Sequence, residues 1–112
     1  MKRIDAVVRP DKVEGIKERL HHLGITGLTV FEARGFGRQK GHTETYRGSE
    51  YAQEFLPKLF MTVVVGDELL EQTIEAIIEG ARTGNIGDGK IFITSLDEVA
   101  RIRTGERGPI AI

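Results

Sequence analysis

The chain has 112 residues, 39% hydrophobic and 29% charged, proportions that exclude a disordered, collagen-like or coiled-coil architecture and allow one core in a single domain. Lys and Arg total 16 against 17 Asp and Glu, a net charge of -1, so there is no overall positive field to hold a nucleic acid. The absence of cysteine excludes disulfides, thiolate metal sites and cysteine nucleophiles, and no apolar run reaches the ~18 residues of a membrane span or makes a signal peptide; the expected setting is the cytoplasm.

In chain order, Ile4 to Val8 is a short β-rich segment that stops at Pro10. Asp11 is placed as a helix N-cap with Glu14 three residues on. Val13, Ile16, Leu20 and Leu23 then follow at spacings of three and four, one helical face that ends at Gly24. Leu28 to Ala33 reads as a second strand, with Leu28 and Val30 on one face and Thr29, Phe31 and Ala33 on the other. Lys58 to Val65 is a third, apolar enough to be central or covered. Asp67 is expected to cap a second helix whose stripe is Leu70, Ile74, Ile77, Ile78 and Ala81, and Lys90 to Leu96 is a fourth strand. The order β-α-β-β-α-β predicts an α+β, ferredoxin-like split βαβ fold. Helices would cover one sheet face only, so the other must be covered by ligand, tail or further subunits, and an oligomer is expected.

The connection from Phe36 to Glu54 has no sustained periodicity and exceeds the roughly 12–15 residues of ordinary loops. Both tyrosines, Tyr46 and Tyr51, lie in it, so it reads either as a mobile insertion or as a partner-binding or modified segment. Gly84 to Lys90 has the G-x-x-x-x-G-K spacing of a phosphate loop, but Ile91 replaces the Mg²⁺-binding hydroxyl and the order is helix then strand. It is therefore no P-loop NTPase; its glycines and lysine still suit an anion, although on this segment alone an ordinary helix-to-strand turn is the more common reading. Arg101-Ile-Arg103, read as extended, would project two guanidinium groups from one side, as a phosphate clamp or as a charged edge strand. Arg34-Gly-Phe-Gly37 copies half of an RNA-recognition motif without its aromatic platform, and His21, His22 and His42 lack metal-ligand spacing. No nucleophile and base are paired in any recognisable pattern.

Together these segments resemble the PII family of nitrogen regulatory signal-transduction proteins, over essentially the whole chain. The blocks that carry the resemblance are Tyr46-Arg-Gly-Ser-Glu-Tyr51, Thr83-Gly-Asn-Ile-Gly-Asp-Gly-Lys-Ile-Phe-Ile93, Gly35-Phe-Gly-Arg-Gln-Lys-Gly-His-Thr-Glu44 and Arg101-Ile-Arg-Thr-Gly-Glu106. The resemblance implies one domain over 1–112 with a partner-binding loop at 36–54, a phosphate loop at 83–90 and an arginine segment at 101–106, assembled as a homotrimer with ATP or ADP in each cleft between subunits.

By that similarity Gly37, Arg38, Gly87, Asp88, Gly89 and Lys90 would hold nucleotide from one subunit. Arg101, Ile102 and Arg103 would reach in from the next, and Thr29 and Val64 would line the adenine pocket. Gln39 would bind both nucleotide and Mg²⁺, and 2-oxoglutarate would meet Gln39, Lys40, Gly41 and Lys58. The implied role is sensing rather than turnover, with at most trace ATPase activity. The loop would regulate nitrogen-assimilation enzymes, their regulators and an ammonium transporter. Tyr51 would be open to a nucleotidylyltransferase (uridylylation or adenylylation), and Ser49 to phosphorylation. Two positions depart from the family pattern: Thr62 stands where many members have Glu, and Arg107 to Ile112 replaces a commonly acidic tail. The alternative from another class is a small acylphosphatase-like hydrolase, with Asn85 as the only candidate to place water.

Overall fold

The computed structural model describes residues 1–37, 44–46, 49–51 and 55–112, with the backbone alone for 44–46 and 49–51. Its main sheet has four strands in the order β2-β5-β1-β6: β1 Lys2–Val8, β2 Thr29–Gly35, β5 Leu56–Val65 and β6 Lys90–Ser95. All three pairings are antiparallel. Strands β1 and β2 therefore run parallel with β5 between them, as the α1 crossover, Val13–His22, requires; helix α2, Leu70–Ala81, makes the matching crossover from β5 to β6. This is the predicted ferredoxin-like arrangement.

Register assigns the two sheet faces. Ile4 opposes Val63 and Ile93, Ala6 opposes Met61 and Ile91, and Val30 opposes Met61. This face packs on Ile16 and Leu20 of α1 and on Ala76, Ile77 and Ala81 of α2 in one buried cluster. The helices meet closely at Gly80, where a Cβ would lie 2.8 Å from Ile16 Cγ1. The opposite face carries Val7, Phe60, Phe31 and Phe92. Phe31 stacks on Phe60 with ring centroids 4.7 Å apart, yet Phe31 remains 51% and Phe92 49% exposed.

Four local expectations are corrected. Asp11 does not cap α1: Pro10–Lys12 winds directly into a 3₁₀ turn headed by Arg9 and α1 begins at Val13, with no side-chain cap on either. Proline at the first position presets the helical φ without needing a capping side chain. Asp67 likewise sits inside a 3₁₀ turn, Asp67–Leu69, and accepts a 2.8 Å bond from the Met1 ammonium. The long connection contains a hairpin, β3 Glu44–Tyr46 with β4 Ser49–Tyr51, whose strands are too short for alternation to show in sequence. Finally, 101–106 is a tight turn and no extended strand. Gly105 N–H donates to Arg101 O and Arg101 N–H to Glu106 O, and Gly105 reverses the chain at φ 74°.

Candidate functional site

The connection between α2 and β6 is a turn held in shape by a carboxylate at its centre. Three glycines in the left-handed region, Gly84 (φ 88°), Gly87 (φ 104°) and Gly89 (φ 100°), let it fold back. Asp88 then accepts hydrogen bonds from the backbone N–H of Thr83 (2.8 Å) and of Gly84 (2.9 Å), and from the Thr83 hydroxyl. The Arg9 guanidinium closes the set, Nε donating to Asp88 Oδ1 at 3.1 Å and Nη2 to the Ile86 carbonyl at 2.9 Å. The Thr83 bonds first, then Arg9 and Gly84, hold the Asp88 carboxyl far below the usual carboxylate range.

The turn lands on β1, because a Cβ at Gly89 would sit 1.7 Å from the Val7 carbonyl oxygen. Lys90 is thereby fixed opposite Val7. Lys58 approaches from β5 on the same face. It is 8% exposed, its stem crosses Gly35 where a Cβ would lie 3.1 Å from Lys58 Cγ, and its ammonium donates to the Gly87 carbonyl at 2.7 Å. Burial, and secondarily the nearby Arg9 charge, lower its pKa, while Asp88 opposes the shift.

Lys58, Lys90, Gly87, Gly89, Ile86 and the Gly35–Gly37 stretch enclose a cavity of about 580 Å³, completed by Val7, Leu56 and Phe92. Two ammonium groups and a glycine turn on an apolar floor suit an anionic ligand with an organic body. The cavity opens where the long connection begins. There Phe36 lines it, and its ring meets that of Phe55, where the chain returns, at a centroid distance of 5.7 Å.

A second cavity of about 680 Å³ lies elsewhere on the chain, lined by Thr29, Thr62 and Val64 together with Leu28, Met1 and the C-terminal Ala111 and Ile112. Thr62 lies opposite Thr29 in the β5–β2 register. Arg101, Ile102 and Arg103 line neither cavity. The Arg101 guanidinium donates to Glu106 at 2.9 Å and to the Ile110 carbonyl at 2.8 Å, clasping the C-terminal turn, while Ile102 and Arg103 stand exposed at the turn's tip.

Sequence comparison gives the context. The family described as Nitrogen regulatory protein P-II matches residues 1–106. Proteins of that name from Azospirillum brasilense, Pasteurella multocida and Rhodospirillum rubrum are 60%, 58% and 57% identical to the chain, each over 112 residues and 100% of both sequences. The chain belongs to the P-II family. It is accordingly a P-II signal-transduction protein of nitrogen regulation and not an enzyme, so the hydrolase alternative falls; Asn85 serves the turn, its N–H donating to Thr83 Oγ1 at 3.2 Å. A P-II regulator acts through the proteins of nitrogen metabolism that it controls. Among the described residues no helix is long and apolar enough to cross a membrane.

Of the site residues expected from sequence in this P-II chain, Gly37, Gly87, Gly89, Lys90 and Lys58 share one cavity. Asp88 belongs to the turn beneath it. Thr29 and Val64 lie in the second cavity. Arg38, Gln39, Lys40 and Gly41 lie outside the described residues. Tyr51 and Ser49 fall on β4, opposite Glu44 and Tyr46. One member of the constellation has no signal in the sequence: Arg9 sits 79 positions from Asp88. Thr83 opens the block that carries the resemblance, but its bonds to Asp88 show only in the structure.

Proposed function

We propose that the 580 Å³ cavity is the phosphate half of an ATP and ADP site, and that the chain works as a homotrimer of one P-II-type domain over 1–112 in the cytoplasm. The observation that carries this reading is the convergence of Lys58, Lys90, Gly87 and Gly89 on one cavity at the root of the long connection. The division of the expected nucleotide residues between two cavities and an arginine turn supports assembly. Thr29 and Val64, with Arg101, Ile102 and Arg103 of the partner subunit, complete the site only when a second copy is seated. The exposed Phe31 and Phe92 on the helix-free face supply the apolar surface for that contact.

The donor set fits anions far better than a bare metal ion. No group of three or more His, Cys, Asp or Glu among the described residues is placed to hold one, and the Asp88 oxygens are already engaged. Mg²⁺, a hard cation that takes oxygen ligands, would be held by the Gln39 amide and by oxygens of the ligands themselves. There it would neutralise phosphate and carboxylate charge. 2-Oxoglutarate would lie against Gln39, Lys40 and Gly41 and pair one carboxylate with Lys58.

Ligands that bind two arrangements of the long connection unequally shift its population. Its tip would then engage nitrogen-metabolism enzymes and regulators, or an ammonium transporter. A nucleotidylyltransferase acting at Tyr51, or a kinase at Ser49, would add bulk and negative charge at that tip.

The test is calorimetric titration of 2-oxoglutarate with and without Mg²⁺-ATP, on protein whose mass in solution has been measured. Trimer mass, with 2-oxoglutarate binding only in the presence of Mg²⁺-ATP, is expected. ATP binding without any 2-oxoglutarate response would leave a nucleotide sensor only. Failure of ATP itself to bind would overturn the reading.

A further inference from the structure

We propose that Arg9 is a positioning residue of this anion site, presetting the 83–89 turn before ligand arrives. The inference rests on the nucleotide reading of the cavity, although every observation behind it is geometric. Arg9 follows the last residue of β1 and precedes Pro10, whose fixed φ leads the chain into a 3₁₀ turn. Its backbone is thus held by the sheet on one side and by α1 on the other.

From that rigid base the half-buried guanidinium makes two bonds of different kinds. One goes to the carboxylate that organises Thr83 and Gly84, the other to the carbonyl of Ile86. The fork spans the turn from its first glycine to the residue before Gly87, whose own carbonyl is taken by Lys58. Thr83, Gly84, Ile86, Gly87 and Asp88 are therefore tied to the sheet side of the molecule through two cations, Arg9 and Lys58. Gly89, which has no space for a side chain against Val7, seals the far end.

A glycine-rich turn otherwise samples many conformations, and a ligand would have to order it on binding. A turn already fixed binds more tightly with no added contact. Arg9 does not line the cavity, so its effect would pass through the turn. Arginine makes the two bonds from separate nitrogens of one rigid fork. A lysine at position 9 keeps the charge and one ion pair and loses the fork.

The experiment compares wild type, Arg9→Met and Arg9→Lys by ATP titration at about 50 mM and 300 mM salt. Amide spectra of the unliganded proteins are recorded alongside. Arg9→Met is expected to weaken ATP about tenfold and to shift or broaden the amides of Gly84, Gly87 and Gly89 while those of Ile4 and Val63 hold. Arg9→Lys should recover only part of the loss, at both salt concentrations.

Full rescue by lysine, with a difference from Arg9→Met that fades at 300 mM salt, would mean a through-space charge and overturn the positioning role. Unchanged ATP affinity in Arg9→Met would also overturn it, as would loop amides that stay in place. Failure of Arg9→Met and Arg9→Lys to fold would make Arg9 a residue of the fold and refute the proposal equally. Absence of ATP binding by the wild-type protein is the separate result that rejects the nucleotide reading, and the positioning role with it.

Discussion

Replacing Gly89 by alanine tests whether the turn is held by close packing or merely by glycine's conformational freedom. At φ 100° an alanine costs roughly 1–2 kcal/mol from its backbone alone. Its Cβ would also lie 1.7 Å from the Val7 carbonyl oxygen and 2.8 Å from the Val7 carbonyl carbon. Restoring ordinary contact requires backbone movement of about 1.5 Å at the start of β6. Lys90 pairs with Val7 one residue further on, so that movement opens the end of the β1–β6 ladder, a further loss of about 1 kcal/mol for one hydrogen bond.

The sum is about 2–3 kcal/mol, or a fall of about 10 °C in Tm for a chain of this size. The control is Gly84→Ala, where φ is 88° but nothing lies within 4 Å of the added Cβ; about 1 kcal/mol is expected from conformation alone. Both variants should be melted by calorimetry at one protomer concentration, since the proposed assembly would make Tm concentration-dependent. Equal destabilisation by the two substitutions would refute the packing argument and leave φ as the whole explanation.

Lys58→Met should abolish the 2-oxoglutarate response and also weaken ATP severalfold, read by calorimetry, because it removes a cavity ammonium and the bond to the Gly87 carbonyl; a 2-oxoglutarate response that persists would refute the ion pair. In the wild type, burial holds the Lys58 pKa below the 10.5 of an ordinary lysine. Dicarboxylate affinity should therefore fall as pH rises through that lowered value, with protons taken up on binding in this range; an affinity flat across the alkaline limb would refute the ion pair. Phe31→Asp places a charge on the exposed aromatic face and should convert the proposed trimer to monomers by light scattering with helix content retained; a persisting trimer would move the interface elsewhere. The Asp88 carboxyl titrates far below an unfolded aspartate, about 3.9. Its contribution is thus complete above that value and lost only as pH falls through the depressed folded one. Gly84 and Thr83 amide shifts should stay flat from pH 7 to about 5 in wild type, whereas Asp88→Asn, which turns an amide donor on other donors, should displace them at every pH.

Periodicity made the architecture legible. Apolar residues at helical spacing in Val13 to Leu23 and Leu70 to Ala81, and β-rich runs between them, determined which faces could be buried, and burial of those faces admits the split βαβ order. The uncovered strand face was equally readable, because Phe31 falls out of step with the residues that meet the helices. Local signals failed at the caps, where Pro10 and the glycine before Asp67 let the chain enter 3₁₀ turns without side-chain help. They failed again at Arg101, where alternation suggested an extended strand and the left-handed Gly105 allowed a reversal. The glycine-and-lysine turn could be read in outline as a candidate anion site, since glycine spacing is a property of neighbouring residues. What holds it is not: Arg9 reaches Asp88 across 79 positions, Lys58 reaches Gly87 across 29, and Gly89 is required by the carbonyl of Val7 on another strand. Contacts of that range exist only after the sheet has brought β1, β5 and β6 side by side, because chain spacing carries no information about distance until the core is closed.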